Sequence, residues 1–161
     1  MTKLKRIILH WTAGTNYPNS VDKKHYHFLV DKDGAVHKGD YIPEDNINCY
    51  DGKYAAHTGG GNTGSIGIAL CGMMCDDYPL TAKQCERMFK LIAELAIEYD
   101  IKIIPQNVLT HYEFGKKNPN TSSAGKIDIT ALSPFPYLSS CEIGDFIRNK
   151  ARWYYKLLSL V

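Results

Sequence analysis

The chain lacks any run of apolar residues near the roughly 20 that a helix needs to cross a bilayer. Its opening, MTKLKRIILH, holds only three strongly apolar residues in a row, without the longer apolar core and small-residue cleavage site of a signal peptide. The expectation is a protein made in the cytoplasm, with no membrane span, that reaches any other place of action through another factor. An excess of charge of one sign is lacking too: 19 Lys and Arg stand against 17 Asp and Glu, for a formal net charge of +2. That argues against the clustered basic face of a duplex-DNA binder and predicts no nucleic-acid partner; a neutral or mildly anionic polymer stays open. The five cysteines, Cys49, Cys71, Cys75, Cys85 and Cys141, are odd in number and form no CxxC pair. Reduced thiols fit this better than a disulfide framework, and no partner pair makes a zinc ribbon of Cys71 and Cys75. Repeats, low-complexity tracts and linkers are also missing. A 161-residue chain that is 44% apolar is then expected to fold as one domain, residues 1–161, around one core and to act as a monomer.

What is present is an alternation of strand and helix signals. Residues 5–10 read as a buried strand, and residues 14–24 as a polar turn region. In HYHFLVDKDGAVHKG, Tyr26, Phe28 and Val30 alternate with His27 and Leu29, and Asp33-Gly34 turns the chain into a returning strand. Residues 39–64 look irregular and end in HTGGGNTG, after which SIGIALC, residues 65–71, reads as a second buried strand. Thr81, with Gln84 three residues on, makes a capping box. Cys85, Met88, Ile92, Leu95 and Tyr99 then recur at helical spacing. Residues 106–110 read as a strand, 115–140 as a long loop, and 142–158 as a last amphipathic helix. The mixture implies an α/β domain, a central mixed β-sheet flanked by helices.

Two of these strands end in histidine, IILH at His10 and VLTH at His111. If they are neighbours, the two imidazoles meet at one edge of the sheet. Neutral imidazole is a good zinc ligand, and a catalytic zinc takes three protein ligands and a water. Asp128, 17 residues after His111, is the best local third. The plainer reading also stands: each histidine closes a strand and bonds a backbone group.

The ordered set IILHWTAG, YHFLVDKDGAVHKG, AAHTGGGNTGSIGIALCG, VLTHYEF and GKID resembles the zinc-dependent N-acetylmuramoyl-L-alanine amidases. That superfamily includes phage lysins, anhydro-muropeptide amidases and peptidoglycan recognition proteins. The resemblance spans residues 6–131 and rests on the five motifs together. It implies zinc as cofactor, held by His10, His111 and Asp128. It also implies Lys126 and Tyr26 as catalytic residues and peptidoglycan or a muropeptide as substrate. The bond cut is the amide between N-acetylmuramic acid and L-alanine, hydrolysed by a zinc-activated water. His57, which matches the histidine of the family's HTG segment, and Trp11, beside His10, are assigned to substrate contact. A compact phage-type lysin, or a prophage or secretion-system relative, is the form expected.

The chain departs from the pattern in two places. Where many relatives carry a catalytic Glu in SIGIEL, this chain has Ala69, as do the lysins that rely on tyrosine and lysine instead. The KIDITAL segment lacks the Pro-Gly that follows the ligand in many relatives, which leaves Glu113 and Asp100 as alternatives to Asp128. Lys126 as a solvated loop lysine, Tyr26 as a strand aromatic and His57 as a loop anchor stay open. Two rival functions are carried forward: a peptidoglycan-binding module without catalysis, and a cysteine hydrolase built on Cys71 or Cys75.

Overall fold

The computed structural model describes residues 3–73 and 77–160. Its centre is a five-stranded mixed sheet. The strands are β1 (Arg6–Trp11), β2 (Phe28–Val30), β3 (Val36–Lys38), β4 (Ser65–Leu70) and β5 (Val108–Thr110), in spatial order β3-β2-β4-β1-β5. β1 pairs in parallel with both β4 and β5, β2 pairs in parallel with β4, and only the β2–β3 hairpin is antiparallel. β1 and β4 are covered on both faces, which is why RIILHW and SIGIAL read as near-continuous apolar runs.

Alternation along β1 and β4 divides two environments. Ile7, Leu9 and Trp11, with Ile66, Ile68 and Leu70, enter the main core beneath α2 (Ala82–Glu98) and α4 (Ile143–Ser159). Full burial of one such side chain stabilises by roughly 1.5–3 kcal/mol. Ile8 packs instead with Leu109 and Phe114, and Ala69 with Leu29 and Cys71 beneath Tyr26. His10 and Gly67 have this second parity.

The helix over the main core starts where the sequence places it. Thr81 Oγ1 accepts from Gln84 N, and Gln84 returns its Oε1 to Thr81 N. The buried Gln84 amide also donates to Val30 O and Cys71 O, which ties the helix start to the ends of β2 and β4. Two short helices escape the sequence reading. α1 (Ser20–His25) lies in the expected turn region; Asn19 caps it and none of its residues is buried. α3 (His111–Lys117) starts at the second histidine. Tyr26 accordingly caps α1 and is not in a strand. A 3₁₀ turn, Pro43–Ile47, interrupts the irregular segment before β4.

Candidate metal centre

His10 and His111 are brought together by strand pairing. Leu9 lies opposite Thr110 in the parallel β1–β5 register, so the next residue on each strand is a histidine. Their ring centroids are 4.7 Å apart. The meeting point is not a sheet edge, since β1 has neighbours on both sides. It is the carboxyl end of adjacent parallel strands, where open α/β sheets place ligands. Thr110 ends β5 and caps α3, its hydroxyl accepting from Glu113 N while Glu113 accepts from Thr110 N. His111 therefore opens a helix and is set rigidly.

Asp128 completes the group. Its backbone carbonyl accepts from Tyr112 N at 2.6 Å, and its neighbour Ile129 is fully buried in the main core. The loop is thus pinned on both sides of the carboxylate. Asp128 Oδ2 lies 3.0 Å from His10 Nδ1, and Oδ1 lies 3.3 Å from His111 Nδ1. Among the described residues these three form a group whose ligand atoms lie within 4.8 Å of one another, all buried.

The hydrogen bonds around the histidines constrain where their protons sit. The Gly59 carbonyl can only accept, so Ser123 Oγ donates to it at 2.7 Å. Ser123 must then accept from His111 Nε2 at 2.9 Å, which leaves His111 Nδ1 with a lone pair. A similar chain governs His10. His57 Nε2 donates to Ser65 O at 3.3 Å, and burial pushes the His57 pKa well below its ordinary value, so its Nδ1 is an acceptor. That acceptor faces His10 Nε2 at 3.1 Å, with Thr58 Oγ1 beside both rings. His10 thus has an acceptor at each ring nitrogen, His57 Nδ1 at 3.1 Å from Nε2 and Asp128 Oδ2 at 3.0 Å from Nδ1.

Burial opposes the charge of Asp128, yet the two imidazoles outweigh it and hold the carboxyl well below the usual carboxylate range. Burial likewise lowers the His10 pKa. Two imidazole nitrogens thus converge on an ionised carboxylate, with His10 Nδ1 within hydrogen-bond distance of it. Freed of protons, the three groups offer a donor set for one cation. Two nitrogens and one carboxylate, each imidazole bonded through its other nitrogen, suit zinc in a site with an open position.

The supporting shell is close-packed. A Cβ on Gly67 of β4 would come within 2.6 Å of the His57 ring, and one on Gly115 of α3 within 2.1 Å of Ser123 O. The three glycines at 59–61 serve the same purpose. Side chains there would meet Ser122, Thr121 and Phe114, so the loop's glycines admit the 118–124 segment that delivers Ser123. His27 is buried behind His57, accepting from Gly67 N and donating to Asn46 Oδ1.

The other predicted residues fall in varied places. The Tyr26 ring lies 5.1 Å from that of His10. Burial, with the Asp128 charge second, pushes its phenol well above the ordinary value and keeps it a proton donor. Lys126 is exposed, two residues before Asp128, and its charge acts on His10. His57 is buried at 7% exposure and bonded within the protein, which favours the anchoring alternative. Trp11 is a correction. With the parity of Leu9, it points away from His10 into the main core at 4% exposure, so it is packing and not a substrate contact.

Glu113 does not join the group, because α3 replaces the extended segment that would have aligned it with His111. It grips the buried Arg148 through two bonds of 3.0 and 2.9 Å. Asp100 is exposed at the end of α2, in a left-handed conformation. Burial pushes the Cys71 thiol up to about 12, which removes it as a nucleophile; Cys75 lies outside the described residues. Of the hairpin histidines, His25 bonds Ala56 O and His37 bonds Asp31. Ser123, Thr58 and Asn46 were not singled out from sequence. Ser123 is one of several small polar residues in NPNTSSAG, and nothing local distinguishes it.

The family model described as N-acetylmuramoyl-L-alanine amidase matches residues 1–126, a span that stops two residues short of Asp128. No curated protein matches the chain in sequence. Among solved structures it is similar to the N-acetylmuramoyl-L-alanine amidase LysC from Clostridium intestinale, at 21% identity and a TM-score of 0.50 over 68% of this chain and 72% of that one. It is similar to AmiD from E. coli, solved with the substrate anhydro-N-acetylmuramic acid-L-Ala-D-γ-Glu-L-Lys, at 18% and 0.55 over 91% and 57%. It is also similar to the Drosophila peptidoglycan recognition protein SD, at 18% and 0.51 over 76% of each chain. At these identities the likeness is one of fold.

Proposed function

Because the chain belongs to the N-acetylmuramoyl-L-alanine amidase family, we propose that it is a zinc-dependent hydrolase of peptidoglycan, of the compact phage-lysin type, cutting the amide between N-acetylmuramic acid and L-alanine. The observation that carries this reading is the convergence of His10, His111 and Asp128, buried and with their ligand atoms within 4.8 Å of one another. These three residues would hold the zinc. Bound there, zinc supplies Lewis-acid polarisation of a carbonyl and acidification of water.

The chain's own residues supply the rest. Ala69 stands in register with His10 and carries no titratable group, so proton handling falls to residues around it. Tyr26 packs on Ala69 with its phenol kept protonated. It is placed to donate a hydrogen bond to an oxygen developing negative charge beside His10. Lys126 is an exposed cation on the loop that ends in Asp128, suited to the same oxyanion and to the departing amine. Ser123 and His57 touch no substrate in this scheme; they orient the two imidazoles by contacts at the nitrogens that face away from Asp128.

The test is digestion of purified peptidoglycan with metal-loaded protein and mass spectrometry of the products. Release of stem peptides with a free L-alanine amine is expected. Cleavage at another bond, or full activity in metal-free protein, overturns the reading. Retention on peptidoglycan with no cleavage by loaded protein would instead establish the binding-module alternative, which the likeness to the recognition protein keeps in view.

A further inference from the structure

The outer face of α4 has no role in the site. Its inner face, with Ile143, Ile147 and Ala151, is buried against the main core. Trp153, Leu157 and Leu160 lie on the opposite side at 60%, 48% and 84% exposure. Spacings of four and three residues align them in one stripe, while Phe146, a further two turns back, packs inward on Phe135 and Phe89. Lys150 and Lys156 stand three residues before and after Trp153. At 100° per residue they flank the stripe about 60° to either side.

Charge completes the pattern. Residues 146–160 contain four cations and no Asp or Glu. Arg148 is turned inward to Glu113 and Asp145, and Arg152 bonds Ile103 O and Asn149, which leaves the two lysines to set the sign of the face. The acidic group that faces them from α2, Glu86, is held by the Tyr154 hydroxyl at 2.6 Å. Lys90 lines the adjoining groove.

We propose that this face seats the protein on a membrane surface rich in anionic phospholipid. An apolar stripe of Trp and two leucines with a lysine on each flank fits the acyl boundary. The indole and leucines enter it, while the lysine stems lie along the apolar surface and their ammonium groups meet the headgroup phosphates. A second copy of the chain fits worse, because pairing the face with itself opposes like charges. The inference does not rest on the metal or on the amidase reading.

The experiment is cosedimentation of the full chain with vesicles of phosphatidylcholine alone or mixed with phosphatidylglycerol, with tryptophan emission read in parallel. Trp11 is buried, so a blue shift on binding reports Trp153. Binding to the anionic vesicles with that shift is expected. The K150Q/K156Q variant should weaken partitioning roughly thirty-fold, at one lysine's electrostatic share each, and L157E should abolish it. Lys156 and Leu157 are exposed, Lys150 is half-buried over the Phe146 ring, and all three lie outside the site, so muropeptide hydrolysis in solution stays unchanged. Equal affinity for neutral vesicles, indifference to L157E, or a concentration-dependent dimer that L157E dissociates would each overturn the proposal.

Discussion

Replacing Ser123 with Ala probes the tautomer argument directly. Ser123 is fully buried, accepts from His111 Nε2 at 2.9 Å and donates to Gly59 O at 2.7 Å. Without the hydroxyl the imidazole has two options. It keeps its proton on Nε2 as a buried, unpaired donor, at a cost of about 1–3 kcal/mol. Or it moves the proton to Nδ1, where Asp128 Oδ1 waits 3.3 Å away, and so fills the lone pair a metal needs. The second route relieves the metal-free protein and penalises only the loaded one. The first route costs stability in both states; the second weakens zinc binding, and a loss of about 1.4–2.7 kcal/mol, a factor of roughly 10–100, is expected. Competition against a chromogenic chelator at pH 7 measures it, with circular dichroism and thermal melting of the metal-free protein as the control on folding. An affinity within twofold of the parent, with the fold intact, would refute the argument that Ser123 sets the His111 tautomer.

Glu113→Ala should lower unfolding stability by about 3–5 kcal/mol, because it leaves Arg148, 3% exposed, without its main partner. Metal content should not change, and loss of zinc in this variant would return Glu113 to the ligand set. Burial holds the His27 pKa down to about 4 in the folded protein, against about 6.5 unfolded. Between these values the unfolded chain binds more protons, so stability is fully present above pH 6.5. It falls by up to about 3 kcal/mol as pH drops toward 4, and His57 adds in the same sense. Denaturant unfolding of metal-free protein at pH 7 and 4.5 reads this, and a His27→Gln variant with an unchanged difference would contradict it. Lys126→Ala changes an exposed side chain and should leave folding intact while lowering kcat more than it raises KM; an unaltered kcat would make Lys126 an ordinary loop lysine.

The sequence by itself carried the sheet strands, the helix cap at Thr81 and the pair of histidines that close β1 and β5. These signals are local: periods of two and 3.6, a capping box, a polar residue where an apolar run stops. Asp128 was the best local third ligand, and family motifs added Tyr26 and Lys126 as candidates. Tertiary structure decided which of them meet, because only packing sets distances across more than a hundred residues. The β1–β5 register put His10 beside His111, and the burial of Ile129 with the Tyr112–Asp128 backbone bond brought the carboxylate to both. Trp11 sits beside His10 in the chain, but strand alternation sends it to the opposite face, and adjacency in sequence concealed that. Glu113 lies two residues beyond His111 in the chain, but α3 turns it away, toward an arginine 35 residues on. The orientations of the two histidine rings were beyond any motif. They are fixed by a serine hydroxyl, a glycine carbonyl and a second histidine, groups whose only common property is where the fold leaves them.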